Sequence, residues 1–254
     1  MFSRVKQLFV IFALVSFLIT PASVSAKEYS ISSVRVDGYL QSDGSMMVEE
    51  RRTYNFTGDY TFAYQKIRSD GGSFDETGRI LDYDLADFSL CEINNSSENC
   101  YQILGNNKLQ EADATRPPGF YYAKQDSEGT YLKWFYRASD VSKDFLLRYT
   151  VSNAVTKQSD VDEIYWKIIG SDWEIGESNI EAYFHLPPGI DGTKIQAWAH
   201  GPLTGLVSIE SPELIKYTVP SVPAGEFFEA RLIVPQGTFS GGAPGSFSKS
   251  EIAA

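Results

Sequence analysis

Asp172-Trp173-Glu174 places two carboxylates on either side of an indole. Paired acids flanking a glycosidic bond are the equipment of glycoside hydrolysis, and an indole face is an apolar platform for a sugar ring. The same residues also read as packing groups, with Trp166 and Trp173 as core anchors around the turn Gly170-Ser171. A second acidic group, Asp160-Val161-Asp162-Glu163, offers oxygens to a hard cation such as calcium. It lacks the glycine and the distant bidentate Glu of a calcium loop, and its other reading is a solvated turn before a strand at Ile164–Ile169. Asp82, Asp84 and Asp87 raise the same question, since Asp82 and Asp84 on one strand would share a face and repel.

The two histidines, His185 and His200, each close a strand-like run, two residues after Tyr183 and Trp198. No Gly-x-Ser-x-Gly elbow and no cysteine in a nucleophile setting accompanies them, so they read as structural. No catalytic residue is assigned, no metal site is expected, and the ligand-binding residues are not specified by any motif. Gly241-Gly242-Ala243-Pro244-Gly245 lacks the strand-to-helix setting of a phosphate loop, and no cofactor is expected. Cys91 and Cys100 flank the polar stretch Glu92-Ile93-Asn94-Asn95-Ser96-Ser97-Glu98-Asn99. A local disulfide is the expectation; two free thiols are the alternative, and a zinc site would have to recruit His185 and His200. Asn55-Phe56-Thr57 and Asn95-Ser96-Ser97 match glycosylation sequons, which matter only in a host that glycosylates.

The chain opens as a secretory leader. Arg4 and Lys6 precede an apolar run from Phe9 to Ile19, and Val24-Ser25-Ala26 supplies the small residues that signal peptidase requires. Cleavage after Ala26 is expected, the alternative being an uncleaved anchor; the run is shorter than the roughly 20 residues of a bilayer span. Loss of Arg4 and Lys6 removes two positive charges, so the formal net charge of -11 becomes -13. Such an acidic chain repels phosphate backbones and anionic lipid, and no basic run with interleaved aromatics exists, which excludes nucleic-acid binding.

Between these groups, alternation with period two dominates. Phe145, Leu147, Tyr149 and Val151 alternate with Leu146, Arg148 and Thr150, and Ile180, Ala182, Phe184 and Leu186 with Glu181, Tyr183 and His185. Phe228, Ala230, Leu232 and Val234 do the same near the end. Further strands are expected at Ser33–Tyr39, Met46–Phe56, Thr61–Ile67, Leu85–Glu92, Tyr121–Lys124, Tyr131–Tyr136, Glu163–Ile169, Ile195–Ala199, Val207–Glu210 and Ile215–Val219. Ser42-Asp43-Gly44-Ser45 and Asp126-Ser127-Glu128-Gly129 read as hairpin turns, and Pro187-Pro188-Gly189 ends a strand. Many short strands, with 14% aromatic residues, predict an all-β fold: a β-sandwich of antiparallel strands over residues 27–236. Ser69 to Gly78 and Gly105 to Gly119 read as irregular connections. Residues 237–254 have linker composition and are expected to be disordered.

The segment Asp162-Glu163-Ile164-Tyr165-Trp166-Lys167-Ile168-Ile169-Gly170-Ser171-Asp172-Trp173 resembles a stretch of the YciQ-like predicted bacterial membrane proteins. Three other segments are similar to that family in the same order. They are Val34-Arg35-Val36 with Asp43-Gly44-Ser45-Met46-Met47-Val48-Glu49-Glu50, then Asn55-Phe56-Thr57-Gly58 with Tyr64-Gln65-Lys66-Ile67, and Ala182-Tyr183-Phe184-His185-Leu186-Pro187. The resemblance spans most of residues 28–236 and implies a β-rich extracytoplasmic domain of unknown function, ordinarily followed by membrane helices. It brings no catalytic residues. The expectation is a non-enzymatic cell-envelope ectodomain, secreted or at the outer face of the cytoplasmic membrane, with an envelope protein or a glycan as partner. A membrane tether is expected if the chain continues past Ala254. The alternative is a carbohydrate-binding or glycan-hydrolysing domain built on Asp172, Trp173 and Glu174.

Overall fold

The computed structural model describes residues 26–69 and 83–253. Residues 1–25 of the expected leader, residues 70–78 of the expected loop Ser69 to Gly78, and Asp82 lie outside the described residues. The chain forms β1 (Glu28–Leu40), β2 (Met46–Thr57), β3 (Asp59–Arg68), β4 (Leu85–Asn94), β5 (Ser97–Cys100) and β6 (Gln102–Ile103). A short helix, α1 (Leu109–Thr115), precedes β7 (Phe120–Asp126), β8 (Gly129–Ser139), β9 (Ser142–Val151), β10 (Val155–Lys157) and β11 (Val161–Ile169). Then come β12 (Glu177–His185), β13 (Gln196–His200), β14 (Leu206–Ser211), β15 (Leu214–Val222), β16 (Phe228–Pro235), β17 (Ala243–Pro244) and α2 (Lys249–Ile252).

The alternation that predicts the strands also orients them. In β2, Met46, Val48, Glu50, Arg52, Tyr54 and Phe56 are buried while their neighbours face outward. Eight strands form one sheet in the order β14-β15-β12-β1-β2-β9-β4-β5. A five-stranded sheet (β13-β16-β11-β10-β17) and a four-stranded sheet (β3-β8-β7-β6) make up the rest. One apolar cluster joins all three. Tyr54 meets Trp134 edge-on at 6.4 Å and Phe56 meets Tyr136 at 5.3 Å, fastening the large sheet to the four-stranded one. The Tyr149 and Trp166 rings lie 6.2 Å apart, and Tyr217 donates its hydroxyl to the Arg231 carbonyl at 3.0 Å, fastening it to the five-stranded one. The all-β fold is therefore a sandwich with one continuous layer and one divided layer.

Three features depart from expectation. The strands are not all antiparallel: β1 pairs antiparallel with β2 but parallel with β12, for example Val34 with Ile180. Parallel neighbours need a long crossover, and here the chain supplies it by building much of the other layer before returning. The connection Gly105 to Gly119 is not wholly irregular. It carries α1, whose Ala112 packs on Tyr122 and Phe135, and it leaves that helix through Arg116 in the left-handed region at φ 50°. Finally, residues 237–253 are part of the fold rather than a disordered linker. Phe239 is fully buried, β17 pairs with β10, and Ile252 packs against Val161 and Ile233. Small residues here are needed for contact: a Cβ on Gly44 (φ +85°) would lie 2.5 Å from the Gly241 carbonyl oxygen.

Candidate functional site

β3 leaves β2 through Gly58, at φ +84°, and crosses from the large sheet into the divided layer. Among the described residues it pairs with β8 alone, so its second edge is open. A groove of about 610 Å³ runs along that edge, lined by every residue from Asp59 to Lys66. Successive side chains on a strand face opposite ways, so consecutive residues share a groove only where it follows the backbone edge. Tyr29 of β1, Tyr54 and Phe56 of β2, and the segment after β11 complete the lining. Tyr29 meets Tyr60 edge-on at 5.6 Å, and Tyr64 stacks on Tyr131 at 5.8 Å.

The segment after β11 brings Asp172, Trp173 and Glu174 into this groove together, whereas Trp166 is buried in the core against Tyr83 and Tyr149. Neither carboxylate is idle. Asp172 accepts from Arg68 Nε at 2.9 Å and Nη2 at 3.3 Å, and Glu174 accepts from the Tyr64 hydroxyl at 2.8 Å. That hydrogen bond, with burial, pushes the Tyr64 phenol up to about 12. Burial, then the charge of Glu174 and the Tyr60 phenol, raises Tyr29 as well, so both phenols stay neutral. Two cations stand at the other end of β3. Lys27 donates its ammonium to the Asp59 carbonyl at 2.7 Å and lies 5.8 Å from the Tyr60 ring centre. Arg116 donates to Thr61 Oγ1 at 3.1 Å, its guanidinium 4.9 Å from the Phe62 ring centre. Among the described residues, neither has a carboxylate partner.

A charged floor lies beneath Trp173. The Arg52 guanidinium sits 4.7 Å from the indole centre and donates from Nε to Glu177 Oε1 at 2.8 Å. It also donates to Glu50, which in turn accepts from Gln65 Nε2 at 2.8 Å and from Tyr149 Oη at 2.5 Å. Burial opposes the Arg52 charge, but Glu177 and Glu50 outweigh it and the guanidinium's pKa is raised. Burial raises the Glu177 carboxyl, against the pull of Arg52 and with the push of Glu50. A cavity of about 40 Å³, room for a water molecule, adjoins Arg52, Glu50 and Tyr149, and it shares Gln65, Lys66, Gly170, Asp172 and Trp173 with the lining of the groove. Sequence reasoning missed this cluster, although its signal is present: Glu50 and Arg52 occupy inward positions in the row Met46, Val48, Tyr54, Phe56. It also missed the aromatic wall, signalled by alternating Tyr60, Phe62 and Tyr64.

The other candidates do not converge. Asp160 accepts from the Lys249 backbone N–H at 2.6 Å, Asp162 from Lys157 Nζ and the Phe239 N–H at 2.8 and 3.0 Å, and Glu163 from Arg231 Nε at 2.8 Å. Each of these acids thus serves partners of its own, Glu163 also accepting from Gln158 Nε2 at 2.7 Å, and the three do not share one oxygen cage of the kind calcium takes. Asp84 accepts from Asn153 at 3.4 Å, and Asp87 sits at an irregularity in β4 with φ 56°. His185 pairs its Nε2 with Asp37 at 3.0 Å and stacks on Tyr39, whereas His200 contacts the Tyr165 hydroxyl through Nδ1 at 3.2 Å in a different sheet. Burial lowers the His200 pKa, Glu229 opposing and Arg231 reinforcing. Cys91 and Cys100 are cross-strand partners on β4 and β5 and form a disulfide with S–S 2.03 Å. The polar stretch between them forms a hairpin, turning at Asn95 and Ser96 with φ 47° and 71°.

No helix of the described residues is long and apolar enough to cross a membrane. No curated protein sequence matches the chain. Solved structures similar to it include a candidate nutrient binding protein from Legionella pneumophila, at TM-score 0.41 and 10% identity, covering 80% of this chain and 66% of that one. Yeast LTA4 hydrolase in complex with bestatin gives TM-score 0.45 and 8% identity over 80% of this chain and 28% of that one. An M1 zinc metallopeptidase from Deinococcus radiodurans gives TM-score 0.38 and 7% identity, over 80% and 42%. The chain thus spans less than two thirds of each, and these likenesses carry no functional argument. The family described as the N-terminal domain of a predicted membrane protein (DUF2207) matches residues 30–234. That match covers both layers of the sandwich and nearly all of the groove, and the chain belongs to this family.

Proposed function

We propose that this chain is a non-enzymatic binding ectodomain of a membrane-associated envelope protein, and that it takes its ligand in the aromatic groove beside β3. The groove carries this reading: an open sheet edge faces phenol and indole rings, a combination suited to holding a ligand. The secretory leader and the Cys91–Cys100 disulfide support an extracytoplasmic setting, where such bonds persist. A glycan ligand is the second reading, favoured by Trp173 lying in the groove beside Asp172 and Glu174. Hydrolysis has less support. A general acid and its partner need freedom to exchange protons with the substrate, whereas Asp172 is held by Arg68 and Glu174 by Tyr64.

The test is amide and indole NMR shift mapping on residues 27–253, titrated with oligosaccharides and with envelope-derived peptides. Shifts confined to β3 and Gly170–Glu174, abolished by Trp173→Ala in a variant with unchanged circular dichroism, are expected. Ligand shifts that map elsewhere would remove the groove from consideration. Glycan cleavage lost in Asp172→Asn or Glu174→Gln would replace binding with hydrolysis.

A further inference from the structure

The open edge of β3 presents backbone as well as rings. The Ser69 N–H donates to the Glu128 carbonyl at 3.2 Å, which makes these residues a hydrogen-bonded pair at the end of the β3–β8 ladder. In an antiparallel pair such residues alternate, so Ile67, Gln65 and Ala63 turn their N–H and C=O groups towards β8. Tyr64 and Lys66 turn theirs outward, into the groove. Unpaired donors and acceptors in a row along a strand edge match another strand. Separated sugar hydroxyls do not reproduce that repeat. The register shifts between Tyr60 and Phe62, the Phe62 carbonyl already accepts from the Tyr136 hydroxyl, and from Phe62 to Lys66 the regular edge is roughly 14 Å long, enough for about five extended residues.

The charges select further. The protein is acidic overall, at -11, yet at the Asp59–Phe62 end of the groove two cations, Lys27 and Arg116, stand against one lining carboxylate, Asp59. Of the groove acids further along, Asp172 is neutralised by Arg68 and Glu174 is hydrogen-bonded by Tyr64. Resting on the binding reading above, we propose that the groove takes an extended acidic peptide segment, which adds to the four-stranded sheet as a further strand beside β3. Its carboxylates lie at the Lys27 and Arg116 end, and alternate side chains pack on Tyr29 and Tyr60 or on Tyr64 and Trp173.

The experiment pans residues 27–253 against a display library of random peptides of about twelve residues. In parallel, the protein is titrated with chitohexaose and with hexagalacturonate. Enriched peptides are expected to carry Asp or Glu beside alternating apolar residues. N-methylation of every second amide in one register, but not in the other, should weaken binding by about tenfold or more. Lys27→Glu with Arg116→Glu should weaken it by a similar factor, about tenfold, and admit basic peptides instead. Peptides that bind regardless of N-methylation, or regardless of the charge reversal, would overturn the added strand. Hexagalacturonate or chitohexaose shifting groove amides while no peptide is enriched would also overturn it, yet leave the groove as a binding site. A groove that responds to neither class would remove both readings.

Discussion

Replacing Arg52 with Met tests how the floor beneath Trp173 is held. Arg52, Glu50 and Glu177 are 3%, 5% and 1% exposed, so one buried cation faces two buried carboxylates. Glu50 keeps two donors without it, Gln65 and Tyr149. Glu177 does not: Oε1 loses Arg52, and Oε2 already has no partner. Breaking a buried pair from one side costs about 3–5 kcal/mol. The buried carboxylate can escape that cost by taking a proton. From an ordinary value of 4.5, protonation at about pH 7 costs about 3 kcal/mol, at 1.36 kcal/mol per pH unit. The two routes agree, and the second depends on pH. Urea unfolding followed by tryptophan fluorescence should show Arg52→Met less stable by about 3 kcal/mol near pH 7 and by about 1 kcal/mol near pH 5. Adding Glu177→Met should recover most of the loss by removing the stranded charge. A cost below about 1 kcal/mol near pH 7, or one that does not change with pH, would refute the view that these groups form one electrostatic unit.

Three further outcomes are expected. In the wild type, the raised Glu177 pKa means the folded state holds that proton more tightly than the unfolded chain. Its contribution is full below the unfolded value of 4.5 and is lost as pH rises through the folded pKa, so the stability gap between wild type and Glu177→Gln should shift towards the variant over that rise. Phe239→Ala should cost about 3–5 kcal/mol in the same unfolding assay, as for any large buried ring; a cost near zero would return residues 237–253 to the status of a linker. Cys91→Ala with Cys100→Ala, which opens a link across 9 positions, should cost about 2–3 kcal/mol in a thermal melt, and reductant should have no effect on the double variant.

Strand positions were legible because half-buried strands impose alternation on the residues that form them, as at Met46–Phe56; Phe228–Val234 alternates in residue type although both of its faces are buried, its Glu229 and Arg231 being partnered inside. The local turns were legible too, since Asp43-Gly44 and Glu128-Gly129 name their backbone geometry. Pairing between distant strands was not. Nothing in Val34-Arg35-Val36 announces a parallel partner at Ile180-Glu181-Ala182. The tail was misread because composition reports the cost of ordering a segment and not the contacts that offset it. Phe239 and Ile252 are two apolar residues in a glycine- and serine-rich stretch, and both find buried sites. Of the candidate site, Asp172, Trp173 and Glu174 were visible as neighbours in sequence. The groove itself was not, because it arises where β3 leaves the large sheet and ends up with an open edge.

The position of β1 has a consequence for how this molecule comes into being. Its two neighbours in the large sheet are β2, which follows at once, and β12, which begins at Glu177. A chain emerging amino terminus first can make the β1–β2 hairpin early, but the widest sheet then waits, open on one side, until the last third of the polypeptide arrives. Pairings this remote are slow to form, and an open edge is a site for wrong partners in the interval. The large sheet therefore closes late, with β12 setting on β1, β15 on β12, and the final residues clamping over the β1–β2 turn through Ser240 and Gly241.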